Sequence, residues 1–553
     1  VPRYLELCTL GDLLVRGSER HPDRDALVLP GVRRSYRELE ARALTVARSL
    51  TAAGVRRGDR VGLFLPNGAE FIEILFGISF TGAIAVPVNA RFTARELGHV
   101  LRDAGLVVLF AGDAPGEPRS RADVIADALG HCETGGALGA TGLPRLNTAA
   151  APDLTAVVTA GSSPHPREPM LAGADFAGVA SLVPPEQAEA RRRGVALRDP
   201  AIMFYTSGTT AMPKGCVLSH EAQVRTGVST AARLGFADGE RMFAPCPMFH
   251  TASTQPMVAT FQAGGTFVTM AHFDPALALK LIEAEQVTTM FPAFPPLTLG
   301  LLNCPDYSPD SFARVRTVFT VAPPEALKAM QRRMPHSTMV NAYGMTEFGG
   351  SVVMVDPADD DEARLATQGP PFPGLEIGIR DAFGEPLPAG ERGEIVIRGP
   401  ARFDHYHNDP VRTAEAIDTE GWYHSGDLGE VTADGRLRYL GRLKDMLKVG
   451  GENVAAIEIA SHLQAHPAVS VAAVVGVADE KYGEVPAAFI ELSPGATLTE
   501  DEVIAHCQSG LARFKVPRYV RFVTEWPMSS TKVQTFRLRE QLEAELDAAR
   551  RPG

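Results

Sequence analysis

Near its start the chain alternates between two hydrophobic periods, and few folds can satisfy both. Residues 35–54 repeat apolar side chains at the spacing of an amphipathic helix, residues 59–66 form a short apolar strand, and residues 70–82 return to a helical pattern. Strands separated by helices pair through crossovers and not through tight hairpins, which builds a largely parallel sheet. The expected class is α/β, with a large N-terminal domain of stacked, mostly parallel αβ layers. Between residues 112 and 178 the text turns rich in Ala, Gly and Pro and loses its period, so mobile loops around one or two weak strands are expected there. From Asp199 the alternation resumes. Residues 369–441 carry the Gly/Pro-punctuated short strands of a β subdomain, and after Gly441 the text becomes a compact αβ pattern. The simplest division is an N-terminal domain of residues 1–441 and a small C-terminal domain of residues 442–553, with no internal repeat.

Composition narrows the function classes. The 553 residues include 66 acidic against 54 basic side chains, a net charge of −12, and basic clusters such as Arg191-Arg192-Arg193 are short. A general binder of nucleic acid or of anionic membranes is not expected. The six cysteines (Cys8, Cys132, Cys216, Cys246, Cys304 and Cys507) form no C-x-x-C pair and no regular framework, which favours a reducing, cytoplasmic setting. Residues 71–88 are the most apolar long stretch, but Glu73, Ser79, Thr81 and Pro87 make it a core helix running into a strand, not a membrane span. No basic region followed by an apolar core marks a signal peptide at the N-terminus.

The sharpest local signal follows the buried-strand run Ala201-Ile202-Met203-Phe204-Tyr205. Thr206-Ser207-Gly208-Thr209-Thr210-Ala211-Met212-Pro213-Lys214-Gly215 comes next, and a helical segment begins at Ser219. Strand, hydroxyl-rich loop and helix make a phosphate cradle: Gly208 permits close backbone approach, hydroxyls and N–H groups donate to phosphate oxygens, and Lys214 adds a point charge. The spacing is not that of a Walker A loop, and Lys214 is followed by Gly215 where that motif has Ser or Thr.

These residues resemble the phosphate-binding signature of the adenylate-forming superfamily of acyl-CoA synthetases, carrier-protein adenylation domains and firefly luciferase, with Ala211 in place of a usual Gly. Further blocks of that family follow in order along essentially the whole chain. Asn341-Ala342-Tyr343-Gly344-Met345-Thr346-Glu347 resembles the block in which Tyr packs on adenine, Thr touches phosphate and Glu holds Mg²⁺. Trp422-Tyr423-His424-Ser425-Gly426-Asp427 resembles the segment whose Asp binds both ribose hydroxyls. Tyr439-Leu440-Gly441-Arg442-Leu443-Lys444-Asp445 resembles the interdomain hinge, and the run through Lys448, Gly450 and Gly451 resembles the loop bordering the pantetheine tunnel. A carboxylate such as Asp427 can accept both hydrogen bonds of a ribose diol, and Glu347 offers a hard oxygen to Mg²⁺.

The resemblance implies an AMP-forming acid–CoA ligase that uses ATP, Mg²⁺ and CoA on a small acid, with a C-terminal domain that turns about Lys444 between half-reactions. His250, in Pro247-Met248-Phe249-His250, stands where amino-acid-activating relatives carry an ammonium-pairing Asp, so an acid without an α-amino group is expected. Three departures bear on the site. Thr320 and Val321 replace small residues ahead of Ala322-Pro323 and should narrow the space beside adenine and the acyl group. Ala456 replaces a common Pro. The usual Gly is missing before Lys532, the residue matched to the catalytic lysine. Lys515 reads equally as a phosphate contact or a solvated side chain. Transfer to a carrier-protein thiol or an amine, activation of another oxyanion such as nitrite for diazotisation, and a non-catalytic nucleotide-binding role remain alternatives. The acid, its pathway and the oligomeric state are not legible.

Overall fold

The computed structural model describes residues 7–113, 119–161, 169–206, 212–443, 446–449, 452–479, 482–528 and 533–550. Two seven-stranded sheets dominate the N-terminal part. The first runs Thr338–Val340, Thr317–Thr320, Thr289–Ala293, Arg241–Phe243, Thr266–Val268, Asp25–Leu29 and Val32–Ser35, with every neighbour parallel except the last pair. The second runs His405–Tyr406, Lys214–Ser219, Pro200–Thr206, Ile84–Pro87, Arg60–Phe64, Leu106–Ala111 and Ala156–Thr159, parallel from Pro200–Thr206 onward and antiparallel at the other edge. This is the stacked αβ layering that the alternating periods require.

Residues 71–88 form the core helix Ala69–Thr81 and the strand Ile84–Pro87. Glu73 stays inside because Arg34 bonds it at 2.9 Å and Arg42 lies at 3.6 Å, while burial still pushes its carboxyl above the usual range. Among the described residues between 112 and 178 there is more order than loops around weak strands. The helix Arg121–Leu129 starts where the Ser120 side chain accepts from the Ala122 N–H. Glu133–Ala137 pairs with Pro144–Asn147 in an exposed hairpin, and Ala156–Thr159 closes the second sheet. Capping and sheet-edge pairing, which leave no hydrophobic period, supply this order.

A four-stranded antiparallel sheet, Glu376–Arg380, Gly393–Arg398, Tyr423–Val431 and Leu437–Arg442, is the β subdomain. The small C-terminal domain has its own sheet, in which Gly483–Leu492 pairs with Met446–Val449, Val469–Asp479 and Tyr519–Phe522. Its buried side chains form clusters separate from the N-terminal cores, one around Leu447, Ile459 and Ile490 and another around Phe489, Leu538 and Leu542. No helix among the described residues is long and apolar enough to cross a membrane.

Candidate active-site cleft

The phosphate-cradle segment differs from a simple strand–loop–helix. Lys214 opens a returning strand, Lys214–Ser219, that pairs antiparallel with Pro200–Thr206 and sets Lys214 directly opposite Thr206. Only then does the helix His220–Arg233 begin, with Ser219 as its N-cap. The returning strand is buried on both faces and lacks the alternation that would have announced it. Thr206 Oγ1 is buried with no hydrogen-bond partner among the described residues, a donor suited to an incoming oxyanion. Ser207, Gly208, Thr209, Thr210 and Ala211 lie outside the described residues.

Lys214 and Glu347 meet here. The Lys214 Nζ lies 3.7 Å from Glu347 Oε1 and 3.7 Å from the centre of the Tyr406 ring. The Tyr406 hydroxyl donates to the same Glu347 oxygen at 2.6 Å. Tyr406 reaches this point because His405–Tyr406 pairs with Lys214–Ser219 in the register Cys216↔Tyr406. Burial pushes the Lys214 ammonium below the usual lysine range, against the pull of Glu347, and pushes the Tyr406 and Tyr423 phenols up, with the Glu347 charge adding to it.

Thr346 and Glu347 stand on a 3-10 turn between the strands Ala342–Met345 and Gly350–Met354. Gly344 is required there: a Cβ would lie 2.1 Å from the Gly350 carbonyl oxygen. Asp427, 8% exposed, is the register partner of Arg442, whose Nε is 3.5 Å from Asp427 Oδ1. The Tyr343 hydroxyl donates to Asp427 Oδ2 at 2.7 Å, and its ring stacks on Tyr439 at 5.4 Å. Asn341 is fully buried; its amide donates to the Ala322 and Thr367 carbonyls and braces the two segments.

Thr206, Lys214, His250, Gly344, Thr346, Glu347, Asp427 and Arg442 all line one cleft of about 890 Å³. Ala322, Asn341 and Tyr343 stand behind its wall and do not line it. At the apolar end, Phe291 and Phe319 stack at 3.8 Å, and His250 precedes the helix Thr251–Gln262 without capping it through its side chain. Val321 faces the cleft at 41% exposure, but Thr320 does not narrow it. Alternation along the strand turns Thr320 to the opposite face, where it is fully buried and shares a 2.7 Å hydrogen bond with Thr298.

Met528 and Gln534, on either side of the segment carrying Lys532, also line the cleft, as do Arg442 and Leu443 just before Lys444. Lys444, Gly450, Gly451 and Lys532 themselves lie outside the described residues. Lys448 is exposed on Met446–Val449 away from the cleft, and its N–H donates to Glu484. Lys515 pairs with Glu458 at 2.6 Å and does not line the cleft. Tyr406, Arg412, Gln255 and Ser351 line or brace the site without belonging to any motif. No sequence signal marks them, because strand pairing and helix packing carry them in. Among the described residues no group of three potential metal ligands comes together. The single carboxylate of Glu347 fits Mg²⁺ whose shell is completed by phosphate oxygens and water.

The AMP-binding enzyme family model matches residues 14–407, and the AMP-binding enzyme C-terminal domain model matches residues 458–532. The feruloyl-CoA synthase of an Amycolatopsis species is 32% identical over 524 residues, covering 94% of this chain and 96% of that protein. The mitochondrial medium-chain acyl-CoA ligase of Rattus norvegicus is 32% identical over 567 residues, covering 97% and 88% respectively. The crystal structure of the anthranilate CoA ligase AuaEII in complex with anthranoyl-AMP is 27% identical, covers 99% of both chains and superposes with a TM-score of 0.84.

Proposed function

Because the chain belongs to the AMP-binding enzyme family and is an AMP-forming ligase of the acyl-CoA synthetase type, we propose that it joins CoA to a small carboxylic acid lacking an α-amino group. The observation that carries the reading is the convergence in one cleft of Lys214 and Glu347, of Asp427 with Arg442, and of an aromatic-lined end beside His250. A phosphate-binding cation, a diol acceptor and an apolar acid site are the parts that adenylation of an acid needs.

In the first half-reaction a carboxylate oxygen of the acid attacks the α-phosphorus of ATP and pyrophosphate leaves. In the second, the CoA thiolate attacks the acyl carbon and AMP leaves with the mixed-anhydride oxygen. Positioning and charge stabilisation do most of the work. Lys214, Thr206 and the Ser207–Thr210 segment would hold the phosphates, with Thr346 beside them. Glu347 would anchor Mg²⁺, which when bound supplies positive charge to the phosphate oxygens. Asp427 would accept from the ribose hydroxyls, with Arg442 beside Oδ1 and the Tyr343 hydroxyl on Oδ2, and Gly344 would border adenine with Tyr343 supporting it from behind the wall. Lys532 would bridge the acid's carboxylate and the α-phosphate; the cleft-lining positions of Met528 and Gln534 support that role. The C-terminal domain, with its boundary at Gly441/Arg442, would then turn about Lys444 and bring Lys448, Gly450 and Gly451 to the pantetheine arm.

The absence of a carboxylate at position 250 supports the exclusion of α-amino acids, since their ammonium would enter an apolar end unpaired. The test is product mass after incubation with ATP, Mg²⁺, CoA and a panel of acids, alongside acid-dependent exchange of labelled pyrophosphate into ATP. Acyl-CoA and AMP in equal amounts are expected. AMP release that ignores CoA but needs nitrite and an aryl amine would overturn the thioester reading.

A further inference from the structure

We infer that Gln255 is the fixed end wall of the acid site and sets the length of acid this ligase accepts, an inference that rests on the ligase reading above. Gln255 lies one helical turn beyond Thr251 on Thr251–Gln262, so both face the cleft. It lines the cleft yet is only 3% exposed, as expected of a side chain that presents an end to the cavity and has its body in the core.

A glutamine side chain is ordinarily adaptable, but this one is pinned from three elements. Its Nε2 donates to Thr230 Oγ1 at 2.8 Å on the helix His220–Arg233 and to Ser351 Oγ at 2.9 Å on the strand Gly350–Met354. Its Oε1 accepts the Ser351 N–H at 3.0 Å and the Ser351 hydroxyl at 3.3 Å. Both amide N–H groups are therefore spent. Thr230 is fixed in turn, since its hydroxyl donates to the Thr226 carbonyl at 2.7 Å.

The amide has no room to step aside. Gly350 has φ 137°, and a Cβ there would lie 2.2 Å from Gln255 Oε1, so the backbone packs directly on the amide. Behind Gln255 stands Thr230, fully buried within the helix layer. An acid chain running from the phosphates past Phe319 and Val321 ends against a rigid, hydrogen-bond-saturated plane. To go further it would have to break that network and leave buried polar groups unpaired, so the site selects short acids. A saturated amide also offers nothing to a polar tail, which makes the favoured acid apolar at its far end.

The test is acid-dependent pyrophosphate exchange with straight-chain acids from acetate to decanoate, comparing wild type, Gln255→Ala and Gln255→Asn. Wild type should show the highest kcat/KM at the short end of the series. Gln255→Ala should raise the ratio of long-acid to short-acid kcat/KM by about tenfold or more, since a methylene's worth of pocket discriminates on that scale. Gln255→Asn keeps the amide one methylene shorter and should move the optimum by about one carbon, which preserves the test if the alanine variant does not fold. A ratio unchanged in folded variants, or a wild-type preference for decanoate over butyrate, would overturn the end wall and leave the ligase standing. Exchange with none of these acids would also overturn the end wall, while the ligase reading would then be decided by the wider acid panel above.

Discussion

Lys214 is held between a carboxylate and an aromatic face, and the geometry sets what each neighbour contributes. Glu347 offers charge at 3.7 Å, while Tyr406 supplies a π face to the ammonium and a hydroxyl to the carboxylate. Tyr406→Phe keeps the ring and deletes the 2.6 Å hydrogen bond that orients Glu347, along with the hydroxyl's 3.4 Å hydrogen bond to Tyr423. We expect kcat/KM for ATP to fall about tenfold, the scale of one hydrogen bond to a charged group, in a variant that still folds; steady-state kinetics at varied Mg²⁺ will check it. His220 shows the same local logic away from chemistry. Its Nδ1 accepts the Leu10 N–H, Nε2 is buried without a hydrogen-bond partner among the described residues, and burial lowers its pKa to about 4 against the pull of Asp199. Between pH 6.5, the ordinary value, and about 4 the unfolded chain binds a proton that the folded chain does not. This contribution to stability is therefore full above pH 6.5 and is lost as pH falls toward 4, by about 3 kcal/mol in all. Urea melts at pH 7 and 5 should show the loss, and His220→Asn should flatten it.

At the scale of elements, short strands decide where the chemistry stands. The hairpin of Ala342–Met345 and Gly350–Met354 folds tightly enough to present Thr346 and Glu347 only because position 344 has no Cβ. Gly344→Ala must separate the two strands, and a displacement of about 1 Å in a positioning element costs about a hundredfold in rate. Pyrophosphate exchange should drop by that factor while far-UV circular dichroism stays native; undiminished exchange would refute the close-approach argument. The Thr317–Thr320 strand carries the lesson about legibility. Thr320 and Val321 are both unusual in the text, yet alternation sends one into the core against Thr298 and leaves the other on the cleft. Composition flags a pair, and only the facing of the strand says which member matters. The order within residues 112–178 was illegible for a related reason, since an exposed hairpin and a capped short helix do not generate a hydrophobic period.

At the scale of the whole molecule, the proposed cycle asks one small domain to serve two half-reactions. Lys532→Ala should slow adenylation about a thousandfold, the scale of a lost charge-stabilising group, and spare thioester formation from supplied acyl-adenylate; equal loss of both would refute its role. Lys444→Pro should restrict the hinge by fixing φ, so adenylate forms but steady-state thioester synthesis falls below wild type. The sequence by itself determined the α/β class, the order of the blocks and the residue types proposed to meet phosphate, ribose and metal, because hydrophobic period and loop chemistry are local properties. Tertiary structure alone decided that Tyr406 braces Glu347, that Thr320 turns away from the cleft, that Lys515 pairs with Glu458, and that Gln255 is held at the cleft by Thr230 and Ser351. Each of these depends on which strands and helices pack together across long stretches of chain, and pairing between distant segments leaves no period or spacing in the text.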